Sequence, residues 1–341
     1  MNRWNFGRNV LIESRNQFTP KNEEEVLEIL NAHPGRRIRC VGRLHSWSRV
    51  LDSPDILLDL RNFNQLDPSD TPVPSVHVGA GCQIKQLIHE LEAITPWTLP
   101  SLGFITEQTV AGAISTGTHG SGRHSLSHYV IGLRVARYDT RTGKAVVVDI
   151  TDAEELRAAR CSLGCIGVIL RVTMQCRPQY MVEESFHEYP KLDEVLAAEQ
   201  AYPLQQFYLV PWRWSFMAQH RRESPSQASR SNWIYQKYRF VILDLAMHWL
   251  ILFSVRILRM PSAVRAVFRW IAPAFVIQNW RVVGPSSQQL IMEHEMFRHI
   301  ELELFVQRHQ LPPAMAYLRK ALEAAGDSKT ERSDDAPSPP S

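Results

Sequence analysis

The pattern of hydrophobic and polar positions divides the first half of the chain into short strands and short helices. Apolar residues at helical spacing follow Asn22 and recur between Gln83 and Leu91, which predicts helices at 22–30 and 83–91. Runs of alternating or continuous apolar residues predict strands at 37–41, 56–60, 75–81, 129–138, 144–150 and 170–176. Short strands and short helices mixed in this way up to about residue 178 are typical of an α+β domain.

The pattern changes in the second half of the chain. It predicts strands at 207–212 and 301–306, a polar loop at 221–231 and an amphipathic helix at 312–325. Residues 326–341 hold no apolar residue larger than alanine, so we expect them to be disordered. The sequence therefore divides into a first domain at 1–178, a second domain at 179–325 and a tail at 326–341.

One segment of the second domain approaches the length of a membrane span. Residues 240–258 are almost entirely apolar, but Asp244, His248 and Arg256 interrupt them, and a charge in the bilayer core is costly. Residues 263–280 then place two arginines among apolar and aromatic side chains. The sequence favours helices over 240–280 that lie in a membrane interface, with a buried core helix and a spanning helix as the alternatives.

Composition and charge narrow the class of protein. The net charge of +3 without any Lys/Arg run argues against a nucleic-acid partner. The five cysteines show neither a CxxC pair nor metal-ligand spacing, so we expect reduced, mostly buried thiols and no metal site. The N-terminus lacks the apolar core of a signal peptide, so we expect an intracellular, membrane-associated protein.

Residues 99–122 are the most distinctive stretch of the sequence. They are almost free of charge and rich in Gly, Ala, Ser and Thr, so the backbone can approach another molecule closely while hydroxyl and amide groups remain available. A flexible linker is the alternative, but linkers rarely carry apolar residues such as Phe104, Val110 and Ile114.

Two further segments, 42–48 and 163–169, have a similar composition. Tight loops with exposed N–H groups suit a pyrophosphate, and small residues suit the face of a large planar ring. The three segments together predict a large cofactor that contains phosphate. A dinucleotide fingerprint at Gly79-Ala80-Gly81 is not favoured, because Ile84 stands where the third glycine is needed.

Residues 4–6, 42–46, 109–120 and 163–169 resemble the flavin-binding domain of the vanillyl-alcohol oxidase superfamily. They are most similar to its sugar-lactone and polyol branch, that of the L-gulonolactone and D-arabinono-1,4-lactone oxidases. The resemblance implies a two-subdomain, PCMH-type FAD-binding domain followed by an incomplete α+β substrate domain. It also implies oxidation of a CH–OH group of a sugar 1,4-lactone or polyol by hydride transfer to FAD, with oxygen as acceptor.

The resemblance also implies which residues meet the cofactor. Residues 41–46 would wrap the FAD diphosphate, and His45 would bond covalently to the flavin 8α-methyl carbon. Non-covalent FAD is the alternative, because Leu44 stands where many relatives have Gly. The expected cofactor-binding residues are Val41, Gly42, Arg43, Leu44, His45, Ser46, Leu102, Gly103, Thr109, Gly112, Ala113, Ser115, Thr116, Gly117, Thr118, His119, Gly120, Ile166, Gly167, Val168 and Ile169. For His119, a role as a hydrogen-bonded loop residue and direct flavin contact both stay open.

The sequence leaves the catalytic residues unassigned. Relatives take them from a Glu-x-Arg strand and a His-Trp-x-Lys segment of the substrate domain, and neither pattern occurs in the second domain at 179–325. Glu301 and Glu303 alternate along a predicted strand in a manner more typical of a solvated face. The resemblance therefore indicates a C-terminally truncated member, and the alternative to an active oxidase is a flavin-binding form without turnover. A flavin reductase is a weaker alternative, because no second nucleotide site is present.

Overall fold

In this computed structural model, residues 3–51, 55–258, 260–292 and 300–327 are described. The strands in these ranges are β1 (Arg3–Trp4), β2 (Leu11–Ile12), β3 (Asn16–Phe18), β4 (Ile38–Val41), β5 (Ile56–Asp59), β6 (Leu66–Ser69), β7 (Ser75–Gly79), β8 (Trp97–Thr98), β9 (Val130–Tyr138), β10 (Ala145–Ile150), β11 (Val168–Gln175), β12 (Arg177–Pro178), β13 (Met181–Tyr189), β14 (Gln206–Val210), β15 (Ser215–Ser224) and β16 (Val282–Pro285).

The helices in the same ranges are α1 (Glu23–Ala32), α2 (Ile84–Ile94), α3 (Val110–Ser115), α4 (Ala153–Ala159), α5 (Leu192–Ala197), α6 (Asn232–Leu258), α7 (261–274), α8 (Ser286–Gln289) and α9 (Leu311–Asp327). Within α6, residues Arg239–Ala246 and Ser254–Leu258 are wound as π-helix. Single 3₁₀ turns lie at Arg49–Leu51, Leu126–Tyr129, Ala198–Gln200 and Arg308–Gln310.

The first part of the chain begins with a small parallel sheet of order β3-β5-β4. Helix α1 follows β3, and its start is set by Asn22, whose side chain accepts a hydrogen bond of 2.9 Å from the N–H of Glu25. Three glutamates occupy the first turn, where negative charge complements the helix dipole. The capped helix predicted from the sequence is therefore confirmed.

A five-stranded antiparallel sheet of order β10-β9-β11-β7-β6 forms the second layer. The hairpin between β9 and β10 is confirmed, with Tyr138 paired to Ala145. Helix α2 packs on this part of the fold through the predicted apolar stripe of Ile84, Leu87, Ile88 and Leu91, all of which are buried. One hydrophobic core joins the two sheets, which confirms the predicted α+β class.

The second part of the chain contains an antiparallel sheet of order β14-β15-β13-β16. Strand β15 continues to Ser224, so the predicted polar loop at 221–231 is wrong over its first four residues. The reason is that the polar side chains there find partners across the sheet, where Arg221 lies opposite Glu184 on β13. A polar segment can form a strand when its side chains pair with partners on the neighbouring strand.

The predicted strand at 301–306 is also wrong, because these residues adopt no regular structure and their side chains are exposed. Within the described ranges no strand edge pairs with them. Alternation of apolar and polar residues does not produce a strand without a hydrogen-bonding partner. The predicted helix at 312–325 is confirmed as α9, whereas residues 328–341 of the predicted tail lie outside the described ranges.

The cysteines are free, and the prediction of mostly buried thiols holds only in part. Cys82 and Cys176 are buried and Cys40 is partly buried, but Cys161 and Cys165 are exposed. The two exposed thiols lie in the turn before β11. This turn runs over the surface and does not enter the core.

By length and composition, helix α6 is long and apolar enough to cross a membrane. Only 6% of its most apolar window is buried within the protein. Large side chains such as Trp249, Phe253 and Ile257, spaced four residues apart, are exposed along it. This exposure does not fit a buried core helix, and membrane attachment stays a prediction.

The core contact of α2 gives a direct test of the packing. We expect Leu87→Ala to lower the free energy of unfolding by about 2–5 kcal/mol, because it removes a side chain with 0% exposure and leaves a cavity. Ile94 on the same helix is 65% exposed, so Ile94→Ala should change the free energy of unfolding by less than about 0.5 kcal/mol. Urea unfolding of both variants would measure this, and equal losses would contradict the assigned packing of α2.

Candidate FAD-binding site

The loop that follows β4 forms the first wall of the site. Leu44 lies in the left-handed region with φ of 59°, a conformation that costs a non-glycine residue roughly 1–2 kcal/mol. The N-terminal segment compensates for this cost, because Phe6 N–H donates to the Leu44 carbonyl at 2.8 Å and Asn5 Nδ2 donates to the Ser46 carbonyl at 2.9 Å. The loop can therefore turn tightly although it has Leu instead of Gly.

The imidazole of His45 is held in this loop by the ring of Phe6. The two rings are stacked, with centroids 4.8 Å apart and an angle of 14° between their planes. Burial lowers the pKa of His45, and the charge of nearby Arg43 adds to this effect while Glu107 opposes it. His45 is therefore neutral near pH 7, which is the state in which an imidazole nitrogen acts as a nucleophile.

The second wall is helix α3 with the loop that follows it. Gly42 of the first wall lies so close to Thr109 that an added Cβ would be 2.4 Å from the threonine Oγ1. The N–H groups of Val110 and Ala111 donate to the carbonyls of Cys82 and Ala80, at 2.8 and 3.2 Å. These two helix N–H groups are thus used within the fold, and pyrophosphate donors must come from the surrounding loops.

The third segment is attached to the C-terminal end of α3. The N–H groups of Cys161 and Leu163 donate to the carbonyls of Ile114 and Ser115, at 3.2 and 3.3 Å. Farther along, Gly167 has φ of 124° and lies against the backbone of the antiparallel sheet. The three segments that the sequence singled out therefore converge around α3.

Several of the predicted residues have buried side chains, among them Ala113 at 0% exposure and Val41 at 5%. Val168 and Ile169 belong to β11 and are each 5% exposed, so their side chains pack in the core. Any contact of theirs with a cofactor must use the backbone. Thr116 and Thr118 also use their hydroxyls within the loop, donating to the Gly112 carbonyl at 3.0 Å and to Gln108 Oε1 at 2.9 Å.

His119 is the residue for which two roles were open. Its Nδ1 lies 3.1 Å from the Gly120 carbonyl and its Nε2 lies 2.8 Å from Glu303 Oε1. The pKa of His119 is raised above its ordinary value. Burial acts to lower this pKa, but the hydrogen bonds to Glu303 and Gly120 and the charge of Glu303 outweigh the effect of burial. His119 is thus a hydrogen-bonded loop residue, and it also lines the cavity described next.

A cavity of about 220 Å³ lies between this loop and the second sheet. The 101–121 side contributes Ser101, Leu102, Phe104, His119, Gly120 and Ser121, and the remaining lining residues are Arg123, Tyr180, Gln206, Arg221 and Leu290. Close packing shapes the first side, since a Cβ on Gly120 would lie 2.2 Å from the Leu102 carbonyl oxygen. The hydroxyl of Ser101 is buried and has no hydrogen-bond partner among the described residues.

Sequence reasoning missed the residues of the second sheet that reach this cavity. Arg221 is 2% exposed, and its Nε donates to the fully buried carboxylate of Glu184 at 2.5 Å. Burial alone would raise the pKa of Glu184, but the charges of Arg221 and Arg239 and the hydroxyl of Tyr235 lower it. The signal in the sequence is the alternation of polar Gln219 and Arg221 along β15, although the last four residues of this strand fall in the predicted polar loop at 221–231.

Comparison with known proteins supports the assignment. The FAD binding domain family matches residues 16–149. The chain is 49% identical over 334 residues to a long-chain alcohol oxidase of an uncultured marine euryarchaeote, covering 98% of this chain and 70% of that protein. It is 31% identical over 173 residues to the L-gulonolactone oxidase of Bos taurus, covering 49% of this chain and 38% of that protein.

The fold is similar to that of a solvent-stable cholesterol oxidase, with a TM-score of 0.65 and 15% identity over 84% of this chain and 61% of that chain. The lactone oxidases are less similar to this chain than the alcohol oxidase is, so membership of the sugar-lactone branch stays a prediction.

The residues present fit FAD. Gly42 and Gly120 allow the loops to pack closely on Thr109 and Leu102, and the buried hydroxyl of Ser101 in the cavity wall lacks a partner among the described residues. The family match covers β3 to β10, which includes the first two walls. The chain belongs to the FAD-dependent oxidases of the vanillyl-alcohol oxidase superfamily, a family of oxidoreductases that act on CH–OH groups with oxygen as acceptor.

Proposed function

We propose that this protein oxidises the CH–OH group of a long-chain alcohol at a membrane surface. The observation that carries the proposal is the exposed apolar surface of α6 and α7, which adjoins the sheet that lines the cavity. Trp249, Phe253 and Trp270 are each between 47% and 59% exposed on this surface. A lipophilic substrate that partitions into a membrane would reach the enzyme from that side.

The apolar helices are anchored close to the cavity. Tyr235 in the first turns of α6 donates to Glu184 at 2.6 Å, and Arg239 donates to the carbonyls of Gln288 and Ile291 at 2.7 and 2.9 Å. Leu290, between those two carbonyls, lines the cavity. Arg239 of the apolar helix α6 is thus bonded to the same short segment that contributes Leu290 to the cavity wall.

When bound, FAD would accept a hydride at N5 from the carbinol carbon and pass the electrons to oxygen. The chain's own residues would hold the cofactor through the three segments around α3, with His45 as the proposed point of covalent attachment. The helices and the second sheet would bring the alcohol to the cavity. The base for the hydroxyl proton is not assigned to a residue.

A sugar 1,4-lactone is the second candidate substrate. The cavity wall includes the polar side chains of His119, Gln206 and Arg221, which suit an oxygen-rich ligand. The long-chain alcohol is preferred because the chain is 49% identical to the alcohol oxidase over 334 residues, whereas the L-gulonolactone oxidase of Mus musculus, which matches a similar length of 321 residues, is only 26% identical. A flavin-binding form without turnover is the remaining alternative.

A substrate series separates these proposals. We expect anaerobic mixing with 1-dodecanol in detergent micelles to bleach the visible absorbance of the flavin, and ethanol to bleach it far more slowly. L-gulono-1,4-lactone should leave the absorbance unchanged. Bleaching by the lactone and not by dodecanol would contradict the alcohol proposal, and a fully loaded flavin that no alcohol or lactone bleaches would favour the form without turnover.

We further propose that α6 and α7 lie in the interface of a membrane that contains anionic lipid. Residues 240–281 carry five arginines and one aspartate, so their charge complements anionic headgroups. Exposed tryptophans such as Trp249 and Trp270 are suited to the headgroup level. Charged residues within α6 disfavour a helix that crosses the bilayer.

Vesicle flotation tests the membrane proposal. The wild-type protein should float with phosphatidylcholine vesicles that contain phosphatidylserine, more than with phosphatidylcholine alone, and alkaline carbonate should release it. The triple variant Trp249→Ser, Phe253→Ser, Trp270→Ser should stay in the bottom fraction of the gradient. A control with Val73→Ser, Ile94→Ser and Tyr317→Ser removes exposed apolar side chains elsewhere and should float normally. Equal flotation of both triple variants, or resistance to carbonate, would refute interfacial attachment.

Covalent attachment through His45 can be tested by acid precipitation of the purified protein. We expect the yellow colour to stay with the wild-type precipitate and to leave the precipitate of His45→Ala. His119→Ala is the matched control, since that imidazole lies in the opposite wall and should leave any covalent bond intact. Colour retained by the His45 variant, or lost from the wild type, would show that the bond is not made there.

A further inference from the structure

One face of the second sheet is polar and adjoins the cavity, and the other face is apolar. Gln206 on β14 and Arg221 on β15 line the cavity. On the opposite face, Phe207, Phe216 and Ala218 pack in a hydrophobic cluster. Side chains alternate between the two faces of a strand, so the even positions of β14 and the odd positions of β15 share the polar face. This face holds the side chains of the sheet that a ligand in the cavity could contact.

A chain of hydrogen bonds runs along the polar face and ends at Gln206. The carboxylate of Glu184 is 0% exposed and accepts a hydrogen bond from Gln219 Nε2 at 2.9 Å. Gln219 lies opposite Gln206 on the paired strands, and its Oε1 accepts from Gln206 Nε2 at 2.7 Å. Gln206 Nε2 also donates to the hydroxyl of Tyr208. Both hydrogens of the Gln206 amide are therefore used by partners within the protein.

The carboxylate sets the direction of every hydrogen bond in this chain. Burial alone would raise the pKa of Glu184, but the charges of Arg221 and Arg239 lower it, so the carboxylate is ionised and only accepts. Gln219 must then turn its Nε2 to Glu184 and its Oε1 to Gln206. Gln206 must in turn present its Nε2, because two amide oxygens that face each other would repel. The group of Gln206 that is left over is its Oε1, an acceptor that cannot donate.

This oxygen is accessible to a ligand. Gln206 Oε1 has no hydrogen-bond partner among the described residues, and it is not one of the buried polar atoms that lack a partner. The described residues that line the cavity include no aspartate or glutamate. The ring nitrogens of His119, which also lines the cavity, lie within hydrogen-bond distance of Gly120 and Glu303. Gln206 Oε1 is thus a strong side-chain acceptor that remains for an O–H group.

The apolar lining residues indicate what kind of molecule carries that O–H group. Leu102, Phe104 and Leu290 suit a hydrocarbon portion, and the hydroxyl of an alcohol supplies the hydrogen-bond donor. We propose that Gln206 Oε1 accepts a hydrogen bond from the substrate hydroxyl and thereby orients the carbinol group in the cavity. This role rests on the proposed function, since it needs a substrate hydroxyl there. Gln206 binds and positions the hydroxyl and does not take its proton.

The fixed direction of the amide gives the cavity a means of selection. An ether of similar shape has an oxygen acceptor but no O–H group, so its oxygen would meet the oxygen of Gln206 without a hydrogen between them. A site that is built to hydrogen-bond a substrate hydroxyl discriminates against an analogue that lacks it. The cavity should therefore prefer an alcohol to its methyl ether, and this preference should depend on Gln206.

A tertiary alcohol tests the contact without turnover, because it has no carbinol hydrogen to give up as hydride. Binding of 2-methyl-2-dodecanol and of its methyl ether can be followed by the change in flavin absorbance of the FAD-loaded protein. We expect Gln206→Met to lower the preference for the alcohol by roughly three- to tenfold, the range of one neutral hydrogen bond. The preference is a ratio within one protein, so partition into detergent cancels when variants are compared.

Two further variants separate the role of the acceptor from a general effect on the sheet. Tyr208→Phe is the matched control, since it removes the other acceptor of Gln206 Nε2 and leaves Oε1 in place, and its preference should stay close to the wild-type value. Gln219→Met removes the partner that fixes the Gln206 amide. The amide can then turn its Nε2 to the cavity, so the preference for the alcohol should fall in this variant too. Thermal unfolding and FAD content would show whether any variant is damaged.

The same preference in the wild type, Gln206→Met and Gln219→Met would overturn the inference. Loss of FAD from Gln206→Met alone would also overturn it, because that result would place Gln206 on the cofactor. If the alcohol proposal itself fails, L-gulono-1,4-lactone bleaches the wild-type flavin and 1-dodecanol does not. The lactone also carries hydroxyls, so a raised KM for it in Gln206→Met, with a similar kcat, would then support the contact. An unchanged KM would overturn it.

Discussion

Close approach of backbone segments is the constraint on which the site depends. A Cβ on Gly42 would lie 2.4 Å from Thr109 Oγ1, one on Gly81 would lie 1.9 Å from the Leu60 carbonyl oxygen, and one on Gly120 would lie 2.2 Å from the Leu102 carbonyl oxygen. The first contact brings the loop after β4 against Thr109 at the start of α3, and the other two hold neighbouring loops together. Because two of these contacts are made by backbone carbonyls and the third by a mostly buried threonine, the shape of the wall depends little on the surface side chains.

The buried carboxylate of Glu184 organises the other side of the cavity. It binds Arg221 of the cavity wall and Tyr235 of the apolar helix α6, so the sheet, the helix and the cavity are joined through one group. A buried ion pair adds little net stability, because desolvation offsets most of the attraction. Its value here is geometric, since it fixes a guanidinium in a position that a flexible surface arginine could not hold.

Much of the fold was predictable from local pattern. The cap of α1 at Asn22 and the apolar stripe of α2 follow from short-range rules. The polar stretch at 221–224 and the alternating stretch at 301–306 were assigned wrongly, because their structure depends on distant partners: Arg221 has Glu184 across the sheet, and residues 301–306 have no strand beside them among the described residues. The resemblance named the loops around α3, but no local pattern indicated that Arg221 would reach the same cavity.

The central claim is that the three segments around α3 hold FAD. An experimental structure of the purified yellow protein with its FAD tests this most directly. The account predicts FAD density along residues 42–48, 109–120 and 163–169, with His45 beside the 8α-methyl group of the flavin. FAD bound away from these segments, or with its 8α-methyl group far from His45, would contradict it.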